Sequence, residues 1–184
     1  MRAPPAPEGP FAAAPAGLFL RAARTKDAAA LLAFKTVVLS ETEFLLQGPE
    51  DVSDQVSEER GLIESFQSHE RCLLLLAWEG AAVVGMATVV AGSLARSRHV
   101  GHIGMAVRRS HWRRGVASAL LHATVRWATE IVGLHKLSLQ VHAANQPARR
   151  LYERHGFEYE GTLRGEAKLE GVYVDLLAMG RFLT

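Results

Sequence analysis

The chain has 184 residues and a formal net charge of +2, with 48% apolar and 22% charged residues, the makings of one globular domain with a sizeable core. So small a charge, with no basic run or aromatic-basic interleaving, argues against nucleic acid as a partner. No apolar stretch approaches the ~20 residues of a membrane helix, and the one cysteine, Cys72, excludes an internal disulfide framework or a cysteine-based zinc site.

Residues 1–17, "MRAPPAPEGPFAAAPAG", carry no periodicity and read as a flexible Pro/Ala-rich extension to a single domain over 18–184. Prolines stand where a signal peptide needs its apolar core, so a cytoplasmic protein is expected. "LFLRAA" (18–23) alternates as a strand. A helix follows with Thr25 as its cap and Leu31, Leu32, Phe34, Val38 and Leu39 on one stripe. After the break "QGPED", residues 52–69 predict a second helix with Val56, Ile63 and Phe66 inward. A hairpin turning at Glu79-Gly80 and a third run, 98–107, complete an antiparallel meander, with Cys72 as a buried structural thiol.

The pattern then changes. Ala117, Leu120, Leu121, Thr124, Ala128 and Ile131 recur at helical spacing over 115–132, and "HKLSLQV" (135–141) alternates again. Strand, helix and strand at this length make a βαβ unit, whose strands are parallel. "NQPARRLYERHGF" predicts a short helix capped by Asn145, with Pro147 in its first turn and Gly156 as its stop. Two closing strands follow. The sum is an α/β domain: a mixed, mostly antiparallel sheet of about seven strands, a central βαβ unit and about four helices.

The stretch "HWRRGVASALL" (111–121) joins a strand to a helix through small residues. It is either a plain helix start with solvated arginines, or a cradle in which first-turn amides face a phosphate. It lacks the Gly-Lys-Ser/Thr of a nucleotide-binding loop and the triple glycine of a dinucleotide fold.

Two separated blocks resemble the GNAT superfamily of acyl-CoA-dependent N-acetyltransferases. Its signature, Gln/Arg-x-x-Gly-x-Gly/Ala after a strand ending in valine, is met by "IGMAV" and then Trp112-x-x-Gly115-x-Ala117. Its downstream block is met by Asn145, Ala148, Leu151-Tyr152 and Gly156-Phe157, and the ending "GVYVDLLAMGRF" looks like the closing strands of family members. The resemblance covers roughly residues 18–183. Trp112 departs from the usual Gln or Arg, with Arg113 and Arg114 beside it to supply charge.

The resemblance implies acetyl-CoA as co-substrate, no metal, and direct transfer of acetyl to a small-molecule or peptide amine, with neither nucleic acid nor membrane as partner and a homodimer as the common assembly. It implies coenzyme contacts at Met105, Ala106 and Val107, at Arg113, Arg114, Gly115, Val116, Ala117 and Ser118, and at Asn145 and Ala148. Tyr152 would be the acid toward the leaving thiolate, the alternative being a half-buried packing tyrosine. His102 stands where many members carry a basic glutamate. Alternation puts it on one face with Gly104 and Ala106, and imidazole titrates near neutrality, although a histidine packed in a sheet fits equally. Glu43 and Asp175 are the substitute bases. Glu41, Glu43, Glu50 and Asp51 would make an acidic, cation-accepting cleft. The competing function is a GNAT-fold module that binds acyl-CoA and regulates without turnover.

Overall fold

Alternating apolar residues build seven strands: Leu18–Ala22 (β1), Cys72–Glu79 (β2), Ala82–Ala91 (β3), Val100–Val107 (β4), Lys136–His142 (β5), Glu158–Leu169 (β6) and Val172–Phe182 (β7). In this computed structural model, which describes residues 15–183, they form one sheet in the order β1-β2-β3-β4-β5-β7-β6. Residues 1–14 of the expected extension lie outside the described residues. Every neighbouring pair is antiparallel except β4 and β5, as the βαβ unit requires.

Helices cover both faces of the sheet. Ala28–Ser40 (α1) and Val56–Gln67 (α2) pack on one face; Val116–Arg126 (α3) and Gln146–Arg154 (α4) pack on the other. This explains why β2 is apolar at nearly every position. Leu73, Leu75 and Ala77 enter the α3 core, while Leu74, Leu76 and Trp78 enter the α1–α2 core. Leu31, Phe34 and Ile63 are fully buried in the second core, each stabilising by about 1.5–3 kcal/mol. Gly85 lets α3 approach β3: a Cβ there would lie 3.0 Å from Leu120 Cδ1 and 3.1 Å from Val116 Cγ1.

Four local expectations are corrected. Thr25 does not cap α1; it sits in a 3-10 turn, and Asp27 does the anchoring, accepting from Arg24 N at 2.7 Å and Arg21 Nη2 at 2.8 Å. Burial opposes ionisation of Asp27, but these hydrogen bonds win and hold its carboxyl below the usual value. Val56 begins α2 and faces solvent, so the inward stripe starts at Glu59. Ile131 is 48% exposed because α3 ends at Arg126 and a π-turn over Trp127–Val132 breaks the 3.6-residue spacing. Cys72, at the start of β2, is half-buried rather than enclosed.

The feature that positions the site is a gap in the sheet. β4 and β5 pair only over Val100–His102 against Lys136–Ser138, although β4 continues to Val107 and β5 to His142. Beyond His102 the two strands diverge, while β3 remains paired to β4 as far as Val107 and β7 to β5 as far as His142.

Candidate functional site

The gap opens into a cavity of about 1240 Å³. Its walls come from both faces of the sheet: α1 and the loop after it, β3 and β4, the loop before α3, β5, and α4.

At one end lies the loop before α3. Gly115 adopts φ +81°, a left-handed conformation suited to glycine, and caps the helix. Arg113 also has positive φ, at 60°. Among the described residues, none of the amides of residues 113–118 donates a hydrogen bond within the protein; the first bond of the helix runs from Ala119 N to Gly115 O. Six consecutive free N–H groups at a helix start form a seat for an anion. Arg113, Gly115, Val116, Ala117 and Ser118 all line the cavity.

Arg114 does not. Its guanidinium turns away to Glu79 Oε1 at 2.6 Å, and His111 Nε2 meets the other oxygen of Glu79 at 2.9 Å. Those two hydrogen bonds, from His111 first and then Arg114, hold the Glu79 carboxyl below its ordinary value. They moor the loop to the end of β2. Trp112 moors it to β4, donating its indole N–H to Val107 O at 2.8 Å.

Along the gap, Met105, Ala106 and Val107 of β4 face Ser138–Val141 of β5 across the cavity. Asn145 caps α4 by accepting from Ala148 N at 3.2 Å, and both residues line the cavity. So does Tyr152. It is 7% exposed, packs edge-on to Phe157 with ring centroids 5.8 Å apart, and burial pushes its phenol up to about 12. A phenol so raised stays protonated across the neutral range and can serve as a donor.

His102 is exposed into the same cavity, on the face of β4 it shares with Gly104 and Ala106. No partner holds its imidazole among the described residues, which departs from the alternative of a histidine satisfied in the sheet. Neither substitute base reaches the cavity wall. Glu43 is exposed outside it, and Asp175 accepts from Gly165 N at 2.8 Å in the β6–β7 hairpin. The expected acidic cleft is also absent: Glu41 accepts from Arg108 Nε at 3.2 Å and Arg109 N at 2.7 Å, and Asp51 from Gly48 N at 2.8 Å. Among the described residues, no three His, Cys, Asp or Glu side chains converge on a metal site.

Other cavity residues escaped the sequence reading. Lys35 of α1 contributes its ammonium, held by Glu59 Oε1 at 2.6 Å. Its stripe position gave no sign of this, because the partner lies 24 residues away. Arg150 lines the cavity, whereas its neighbour Arg149 donates to Ala143 O at 3.2 Å outside it. The alternation of Ser138 and Gln140 was the legible signal for the β5 wall.

The profile of the acetyltransferase (GNAT) family matches residues 39–157. L-amino acid N-acetyltransferase AaaT of Escherichia coli is 37% identical over 100 residues, 54% of this chain. The chain thus spans about three fifths, 61%, of the length of that curated relative. The crystal structure of a GNAT-family acetyltransferase from Streptococcus pneumoniae superposes with a TM-score of 0.86 at 30% identity, over 91% of this chain and 99% of that one. A GNAT-superfamily phosphinothricin acetyltransferase from Sinorhizobium meliloti, solved in complex with AcCoA, shares the fold with a TM-score of 0.78 at 18% identity, over 91% of this chain and 89% of that one.

Proposed function

We propose that this chain, which belongs to the GNAT acetyltransferase family, transfers the acetyl group of acetyl-CoA to a primary amine by direct attack. The observation that carries the reading is the β4–β5 gap, with six free amides at one end and both His102 and Tyr152 along it. The amides of 113–118, with Arg113 beside them, would hold the pyrophosphate, and the uncovered β4 backbone at Met105–Val107 the pantetheine arm. Asn145 and Ala148 face the same arm from α4. Acetyl-CoA supplies the activated acetyl and a thiolate leaving group.

The protein's own part is to move two protons. His102 accepts one from the acceptor ammonium, directly or through water; no carboxylate lines the cavity to compete with it. The other cavity histidine, His111, is already engaged by Glu79 and Ser110. Tyr152 donates its phenolic proton toward sulfur, and burial keeps that proton in place until it is needed. A nucleophilic side chain is not required, and Cys72 lies outside the cavity. Acceptors of the class include amino acids, polyamines and peptide amines.

Two measurements test this together. Calorimetry is expected to show acetyl-CoA binding, and a panel of primary amines is expected to give amine-dependent release of free thiol. Binding without thiol release across the panel would leave only the non-catalytic module; absence of binding would overturn the reading of the gap.

A further inference from the structure

The census of charge in the cavity distinguishes among those acceptors. No Asp or Glu lines it, whereas Lys35, Arg113, Arg150 and Arg154 all do. The three arginines belong to the loop before α3 and to α4, at the phosphate end. Lys35 alone stands on the opposite side of the sheet, on α1, among Val38, Leu39, Phe44, Leu45 and Met86.

Lys35 is a cation set in place rather than a solvated one. Its residue is 9% exposed and its single recorded bond is to Glu59 Oε1, which leaves two of its three ammonium protons unpaired. Glu59 is itself 5% exposed, and its Oε2 has no partner. The pair therefore holds the ammonium at the cavity wall without using up its donors. A buried cation with spare donors, beside apolar side chains and with no carboxylate in the cavity, repels a second cation and receives an anion.

We infer that the acceptor is an amine with an apolar body and its own carboxylate, and that Lys35 is the specificity-determining residue that receives the carboxylate. A polyamine is disfavoured because nothing in the cavity would neutralise its further ammonium groups. The inference rests on the acetyl-transfer reading for its chemistry, but the binding preference stands apart from turnover.

The test compares L-phenylalanine with phenethylamine, which differs only by the missing carboxylate, and with spermidine. Hydrogen bonds to a charged group set the scale, so kcat/KM for L-phenylalanine is expected to exceed that for phenethylamine by roughly 10-fold or more. Removing Lys35 alone would strand a buried Glu59 charge, so the variant is the double change Lys35→Met/Glu59→Met, which replaces the pair by apolar side chains. In it the preference is expected to fall to within about threefold, while Lys35→Arg keeps it. Calorimetry with the CoA-bound protein reads the same preference without turnover.

If thiol release is absent but CoA-bound protein prefers L-phenylalanine through Lys35, acetyl transfer falls and this inference stands. If amines are acetylated but spermidine or phenethylamine is preferred, or the preference survives the double variant, the inference is overturned and acetyl transfer stands. Absence of both turnover and preferential binding overturns both.

Discussion

His102 and Tyr152 face one cavity from different elements, and each carries a charge state that a pH profile can read. With His102→Gln, the acidic limb of kcat/KM between pH 5.5 and 9 is expected to disappear and the rate to fall by about 100-fold, the usual scale of general-base help. An unmoved limb with less than about a threefold loss would make His102 a sheet residue only. Tyr152→Phe removes one oxygen from a packed ring and is expected to cost a similar factor in kcat with little change in KM. Because burial raises the Tyr152 phenol to about 12, no alkaline limb below pH 10 should belong to it, and wild type and variant should share whatever limb is seen there. The sign for stability is equally definite. The neutral phenol's contribution is intact below the ordinary tyrosine value of 10.0 and is lost as pH rises through about 12. Asp27 works in the opposite direction. Its carboxyl is lowered, so its contribution is present above its ordinary 3.8 and is lost as pH falls through the folded value. Asp27→Asn should therefore flatten the loss of melting temperature below pH 4, a change read by calorimetric scans at stepped pH.

At the scale of elements, the loop before α3 invites a comparison between two left-handed glycines. Gly115 has φ +81° and a Cβ there would approach Pro15 Cγ to 3.1 Å; Gly133, closing the π-turn, has φ +64° and open space around it. Gly115→Ala and Gly133→Ala both place a side chain in the left-handed region, at a cost of about 1–2 kcal/mol each. Both are expected to lower the melting temperature, but only Gly115→Ala should weaken acetyl-CoA, by about 10-fold or more, because it disturbs the amides of 113–118. Equal affinities for the two would remove those amides from the coenzyme's site. The elements themselves were mostly legible. Alternation marked every strand, and Asn145 and Gly156 bounded α4 where the short-range signals put them. What stayed hidden depended on partners distant in sequence: Lys35 with Glu59, Glu41 with Arg108 and Arg109, and Arg114 with Glu79. A polar residue on a helix or loop shows that it wants a partner, but not which strand will supply one. The acidic cleft failed for that reason, since its carboxylates were already taken. The π-turn was invisible because a shift from 3.6 to wider spacing leaves composition unchanged.

Across the whole molecule, two cores lie on opposite faces of one sheet, and the strands between them carry side chains into both. A ligand held in the β4–β5 gap touches elements anchored in each core, so it should stabilise the fold as a unit. At 100 times its dissociation constant, acetyl-CoA is expected to add about 2.7 kcal/mol. That corresponds to a rise of roughly 5–10 °C in melting temperature for a domain of this size. A single cooperative transition should move; a shift confined to one of two resolved transitions would show that the gap couples to one core alone.

The three residue pairs that join β4 to β5 have one more consequence. Where a sheet is continuous, its interior amides are shielded from deuterium in the solvent until the strands separate. Here the strand edges beyond His102 lie bare in the middle of the sheet, so the most central strands should contain some of its fastest-labelling amides. A coenzyme arm lying along them would act as the missing neighbour. Mass spectrometry of peptides covering 103–107 and 139–142 should then show labelling slow when acetyl-CoA is added, while the peripheral hairpin 164–174 keeps its rate. The protein would be completing its own sheet with a molecule that is not protein.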